Sequence, residues 1–107
     1  MAVKHTCVQG DSFAYDFSSS GVDSFLTGWE GVWAIVDKLG DGGVTLATGP
    51  MVSSVDGSAM ELRILPANTA PIPALDYVLV AQLTNASIGF QKEVMQDKFT
   101  IIPQGIA

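Results

Sequence analysis

Short runs of strand-forming residues recur along this chain, and each is soon cut off by glycine, proline, asparagine or aspartate. That punctuation leaves no convincing helix and predicts an all-β chain of seven or eight short antiparallel strands, spaced as in a two-sheet sandwich. The clearest alternation is Ser12-Phe13-Ala14-Tyr15-Asp16-Phe17, with aromatic residues on one face and small or polar ones on the other. Gly31-Val32-Trp33-Ala34-Ile35-Val36-Asp37-Lys38 is apolar on both faces, the pattern of a strand in the middle of a sheet. Asp41-Gly42-Gly43 supplies a tight turn, with Val44 to Ala47 returning as the hairpin partner. A second hairpin is expected where Met51 to Val55 and Ala59 to Ile64 flank Asp56-Gly57, with Met60, Leu62 and Ile64 pointing inward.

Pro66, Pro71 and Pro73 exclude a central strand from residues 65–74 and predict an extended crossover from one sheet to the other. Tyr77 to Thr84 reads as a second strongly buried strand, turned back at Asn85-Ala86-Ser87. Beyond it, Phe90, Val94, Met95, Lys98, Phe99 and Ile102 fit a helical stripe, but Phe99-Thr100-Ile101-Ile102 has strand composition and Pro103 ends it, which favours two strands, over 88–93 and 97–102. The expected core holds Phe13, Tyr15, Phe17, Trp33, Ile35, Leu62, Ile64, Tyr77, Leu79 and Phe99.

With 107 residues and 48% apolar composition, the chain suits a single domain over 1–107 that ends in a short apolar tail. One cysteine, Cys7, permits no intramolecular disulfide, and its composition suits a buried strand position. Met1 to Thr6 carry no apolar stretch before a small-residue cleavage site, and no apolar run approaches a membrane span, so synthesis in a cytoplasm is expected. Eleven acidic residues against five basic ones give a net charge of -6, and the basic residues are scattered, which makes nucleic acid a poor partner. Only 15% of residues are charged, against about 25% in typical soluble domains. Part of the surface is therefore expected to be covered by other chains.

The residue types that carry chemistry are sparse. His5 is the one histidine, so an imidazole-based metal site or a nucleophile triad would have to be built on it, and a strand-face histidine is the better reading. Gly40-Asp41-Gly42-Gly43 lacks the Gly-Lys-Ser/Thr end of a phosphate loop and reads as a turn. Asp37 and Asp41 lack the spacing of a calcium loop. No catalytic, cofactor or metal residue is assigned, and a non-enzymatic role is expected.

Gly10-Asp11-Ser12-Phe13, Leu26-Thr27-Gly28-Trp29 leading into Val32-Trp33-Ala34-Ile35, the run Met60 to Pro66, and Asp76-Tyr77 occur in an order that resembles small bacteriophage virion proteins with an immunoglobulin-like domain. The N-terminal domains of baseplate upper proteins belong to that group. The chain departs from them in carrying Ala74-Leu75, where a glycine commonly precedes the Asp-Tyr pair. The resemblance implies an immunoglobulin-like β-sandwich made in a host cytoplasm and built into a tail, baseplate or capsid surface. Its partners would be other virion proteins and copies of itself.

Candidate contacts for such assembly are Ile72 between Pro71 and Pro73, as a knob on an extended loop, and Ile102 and Ile106 in the apolar tail. An exposed strand edge is a further route. The rival reading is a recognition module for a surface glycan, using Trp29 in its glycine-flanked position; the alternative for Trp29 is a plug at one end of the sandwich.

Overall fold

The computed structural model describes residues 4–18, 28–40, 42–54 and 57–103. Strands β1 (Lys4–Val8), β2 (Phe13–Ser18), β3 (Trp29–Val36), β4 (Thr45–Ser53), β5 (Ala59–Ile64), β6 (Asp76–Asn85) and β7 (Phe90–Ile102) make one sheet in the order β1-β7-β6-β3-β4-β5-β2. A one-turn helix, α1 (Pro66–Thr69), precedes β6, and a 3-10 turn over Ala86–Ile88 joins β6 to β7. The loop expected over 18–24 lies, beyond Ser18, outside the described residues, as do Asp41 and Asp56 of the two expected turns.

The all-β expectation holds, with one correction to the strand directions. β1 runs parallel to β7, from Lys4 opposite Lys98 to Val8 opposite Ile102, while the other pairings are antiparallel. The two strands come from opposite ends of the sequence, so no hairpin imposes an antiparallel return. The sheet is mixed and curls until its outer strands approach each other. His5 of β1 lies edge-on to Phe13 and Tyr15 of β2, with ring centroids 5.4 and 5.5 Å apart, so the sheet comes close to closing as a barrel.

The two short strands expected at 44–47 and 51–55 are one strand, β4, that changes partners. It pairs with β3 as far as Met51 and with β5 at Val52 and Ser53. The intervening Gly49 is required by Trp33: a Cβ at Gly49 would lie 2.9 Å from the indole ring it faces. Glycine and proline here mark a close approach and a change of partner, not a turn.

β7 is likewise one strand of 13 residues where two were expected. Ala81 pairs with Met95 and Gln82 with Glu93, so Val94 is an extra residue, a β-bulge. The bulge breaks the two-residue alternation, which is why this segment resembles a helical stripe in sequence.

The chain does cross from β5 to β6 through residues 65–74, but the crossing is compact, not extended. Pro66 opens α1 at a position where its missing N–H costs nothing. The buried Thr69 hydroxyl accepts the Gly10 N–H at 3.0 Å and donates to the Asp11 carbonyl at 2.9 Å, which ties α1 to the β1–β2 turn.

Trp33, Ile35, Leu62, Ile64, Tyr77, Leu79 and Phe99 are buried as expected, joined by Cys7, Met51, Met60, Ile72, Ala81, Leu83, Met95 and Ile101. Phe13 and Phe17 are half-buried against this core. Tyr15 departs from expectation at 38% exposed, because β2 ends the strand order and only β5 flanks it.

Candidate functional site

His5, the residue on which imidazole chemistry would have to rest, is committed to the fold. Its Nε2 sits 2.8 Å from Asp97 Oδ2, and its ring packs on Phe13 and Tyr15. Cys7 is buried, and burial, followed by the nearby Asp11 carboxylate, raises its thiol pKa above the ordinary range. A thiol in that setting is a poor nucleophile at neutral pH. Asp37 accepts the Val44 N–H at 2.7 Å and so shapes the β3–β4 turn. Among the described residues no group of three or more His, Cys, Asp or Glu side chains converges.

Trp33 Nε1 is buried without a hydrogen-bond partner among the described residues. It borders a shallow cleft of about 290 Å³ between β4 and α1, lined by Thr48, Gly49, Pro50, Arg63, Leu65 and Asn68. The nitrogen lies beneath Gly49, where even a Cβ would come within 3.0 Å of it, so the cleft offers no indole donor to a ligand.

The expected contact residues divide sharply. Ile72 is only 2% exposed, so it is no protruding knob. Its N–H reaches Thr69 O at 3.1 Å, Gln9 Nε2 donates to its carbonyl at 2.7 Å, and the Tyr77 hydroxyl donates to Pro73 O at 2.6 Å. These bonds fold the loop inward and place the isoleucine in the core. Pro71 and Pro73 on either side remain exposed. Ile102, the last residue of β7, is 38% exposed and fixed in place, because its carbonyl accepts the Gln9 N–H at 2.9 Å. Ile106 lies outside the described residues. Trp29 is half-buried, its ring edge-on to Phe90 at 5.1 Å and packed on the core, which fits a plug better than an open platform.

A further apolar feature of the described surface was not among the expected contacts. Burial alternates cleanly along β3 and β6: Trp33, Ile35, Tyr77, Leu79, Ala81 and Leu83 face the core. Their neighbours Val32, Ala34, Val36, Val78, Val80 and Gln82 therefore line the outer side of the sheet, none of them charged. In register, Val80 stands between Ala34 and Gln96, Val78 between Val36 and Lys98, and Gln82 between Val32 and Glu93. On β4, Thr48 and Pro50 stand opposite Ala34 and Val32. Val32 and Val52 are 44% and 59% exposed.

The β3–β4 turn bounds this face at one end, where Leu39, 48% exposed, stands beside Val36 and Val80 in a shallow depression of about 270 Å³. Asp76 and Lys98 form an exposed pair at one corner, 3.3 Å apart. The Thr100 hydroxyl, donating at 2.7 Å, and then Lys98 hold the Asp76 carboxyl below its ordinary pKa. The signal for this face was present in sequence, since both β3 and β6 are apolar on both sides.

Comparison with known proteins finds no family model that matches the chain and no curated protein that matches it.

Proposed function

We propose that the chain is a non-enzymatic structural subunit of a bacteriophage virion, a tail, baseplate or capsid-surface component that acts through protein–protein assembly. The observation that carries this reading is the uncharged, mostly apolar stretch of the outer side formed by Val32, Ala34, Val36, Val78, Val80 and Gln82 between Glu30 and Asp76, flanked by Thr48 and Pro50 on β4. A fixed, pleated, apolar surface of this kind suits another protein better than a small molecule, which asks for a concave pocket. Low charge content and the resemblance of the motif order to virion immunoglobulin-like domains support the same reading. We read the finer fold as an immunoglobulin-like sandwich, a reading supported by Trp33 buried on a central strand and by β4 changing partners from β3 to β5.

The test is quantitative mass spectrometry of purified particles made from the genome that encodes this chain. Many copies per particle are expected; absence from particles would sink the proposal. The glycan reading asks for an open aromatic platform, and Trp29 is turned onto Phe90. An oligosaccharide-dependent shift in tryptophan fluorescence would restore it.

A further inference from the structure

We infer that the outer side of β7-β6-β3-β4 pairs with the same surface of a second copy of this chain, around a two-fold axis that crosses the strands at Val80. The inference rests on the assembly reading and names its first partner.

Charge selects the surface. A chain with net charge -6 repels its own copies over most approaches, and in the three rows centred on Val80 the two central strands present only uncharged side chains, with Glu30 and Asp76 one row beyond at opposite ends. Packing the same patch on itself demands self-complementarity. The register supplies it. Gln96, Val80, Ala34 and Thr48 form one row across the four strands. On β7, Lys98 lies one row to one side of it and Glu93 one row to the other, because the bulge at Val94 places Glu93 opposite Gln82. Rotation about an in-plane axis along the Val80 row exchanges those flanking rows. Lys98 then faces Glu93 of the second copy, twice by symmetry, and Val36 faces Val32 of the second copy. Val80 and Ala34 meet their own equivalents.

Both corner charges have room to do this. Lys98 is exposed and shares only a surface pair with Asp76, and the Glu93 carboxylate takes a hydrogen bond from the neighbouring Gln96. The strands of the two copies run antiparallel across the interface, in the aligned packing common to face-to-face sheets. Twelve outward positions, spaced about 4.8 Å across strands and 6.8 Å along them, cover roughly 400 Å² per copy in projection. That is small for a permanent dimer, so a weak association is expected that many-copy assembly would reinforce.

The experiment follows the methyl spectra of the full chain from about 10 μM to 1 mM, with dissociation constants from sedimentation equilibrium. Concentration-dependent shifts are expected at Val32, Val36, Val78 and Val80. Lys98→Glu and Glu93→Lys each set like charges against one another and should weaken association at least about 5-fold, and the double swap should restore it to within about 2-fold. A double swap no better than either single variant overturns the inference. So do shifts confined to Ile102 or other sites, which leave assembly standing with a different contact. A chain that stays monomeric to 1 mM overturns self-pairing, while its presence or absence in particles judges the assembly reading separately.

Discussion

Over residues 32–36 the two sides of β3 are almost equally apolar and have opposite fates. Trp33 and Ile35 on one side are 2% and 0% exposed, packed in the core cluster with Met60, Leu62, Leu79 and Phe99. Val32, Ala34 and Val36 on the other side are exposed or half-buried, with no strand or helix among the described residues laid over them. β6 repeats the contrast, with Leu79 fully buried and Val78 and Val80 half-buried on its outer side. An apolar side chain is stabilised by leaving water wherever its cover comes from. The inner side reports what folds this chain, and the outer side reports what the chain still has to cover.

The comparison breaks most visibly if the inner side proves expendable. Phe99 is 0% exposed, paired with His5 and Tyr77 and edge-on to Phe13 at 5.2 Å, so it links both outer strands to the core. Phe99→Ala is expected to cost about 3–5 kcal/mol in urea unfolding. Gly49→Ala acts on the same core from the opposite direction, by overfilling it. Its new Cβ would meet the Trp33 ring at 2.9 Å, within a pleat that holds both residues, and about 1–3 kcal/mol of destabilisation is expected. An alanine tolerated there without loss would show that the indole shifts readily and that the inner packing is looser than its burial suggests.

The inner side was also the more legible one in sequence. Apolar runs marked the strands that bury Trp33, Ile35, Tyr77 and Leu79, and two-residue alternation picked out Met60, Leu62 and Ile64, because a buried face imposes its period wherever pairing is regular. It failed where pairing is irregular. The bulge at Val94 turned one long strand into an apparent stripe, and Gly49-Pro50 fell in a gap between two expected strands because the indole that Gly49 accommodates lies 16 residues back. Ile72 was misread for a different reason: prolines on both sides suggest exposure, while its loop is folded inward by Gln9, 63 residues away, together with the nearby Tyr77 hydroxyl. Apolar runs on both sides of β3 and β6 marked them as central strands. Nothing in those runs distinguishes cover by the same chain from cover by another, so the outer face went unassigned.

Smaller effects sharpen the boundary of the inner side. Tyr77→Phe removes the hydroxyl that donates to Pro73 O and leaves that carbonyl without this bond, for an expected loss of about 1 kcal/mol. Cys7 gives a pH-dependent signature. Burial raises its pKa, so folding favours the neutral thiol; that contribution is complete below the ordinary thiol pKa and is lost as pH rises through the elevated one. Stability should therefore fall on the alkaline side, and Cys7→Ala should flatten part of the slope measured by urea midpoints between pH 7 and pH 10. A residual slope is expected only near pH 10 and above, from Tyr77, whose pKa burial also raises from its ordinary value of 10.

The smallest expected effect is the most discriminating. Val32 is 44% exposed on the outer side, directly next to the fully buried environment of Trp33. Val32→Thr keeps the β-branched shape and strand preference and adds one hydroxyl that water can reach, so at low protein concentration its stability should stay within about 0.5 kcal/mol of the parent. The same substitution places that hydroxyl against Val36 of the second copy once two chains associate, and association should weaken. A large loss of stability in the dilute chain would mean that this face is already covered within the monomer, and the contrast between the two sides of β3 would disappear. An undisturbed monomer that self-associates less readily would place the function of Val32 at an interface, outside the folding of its own chain.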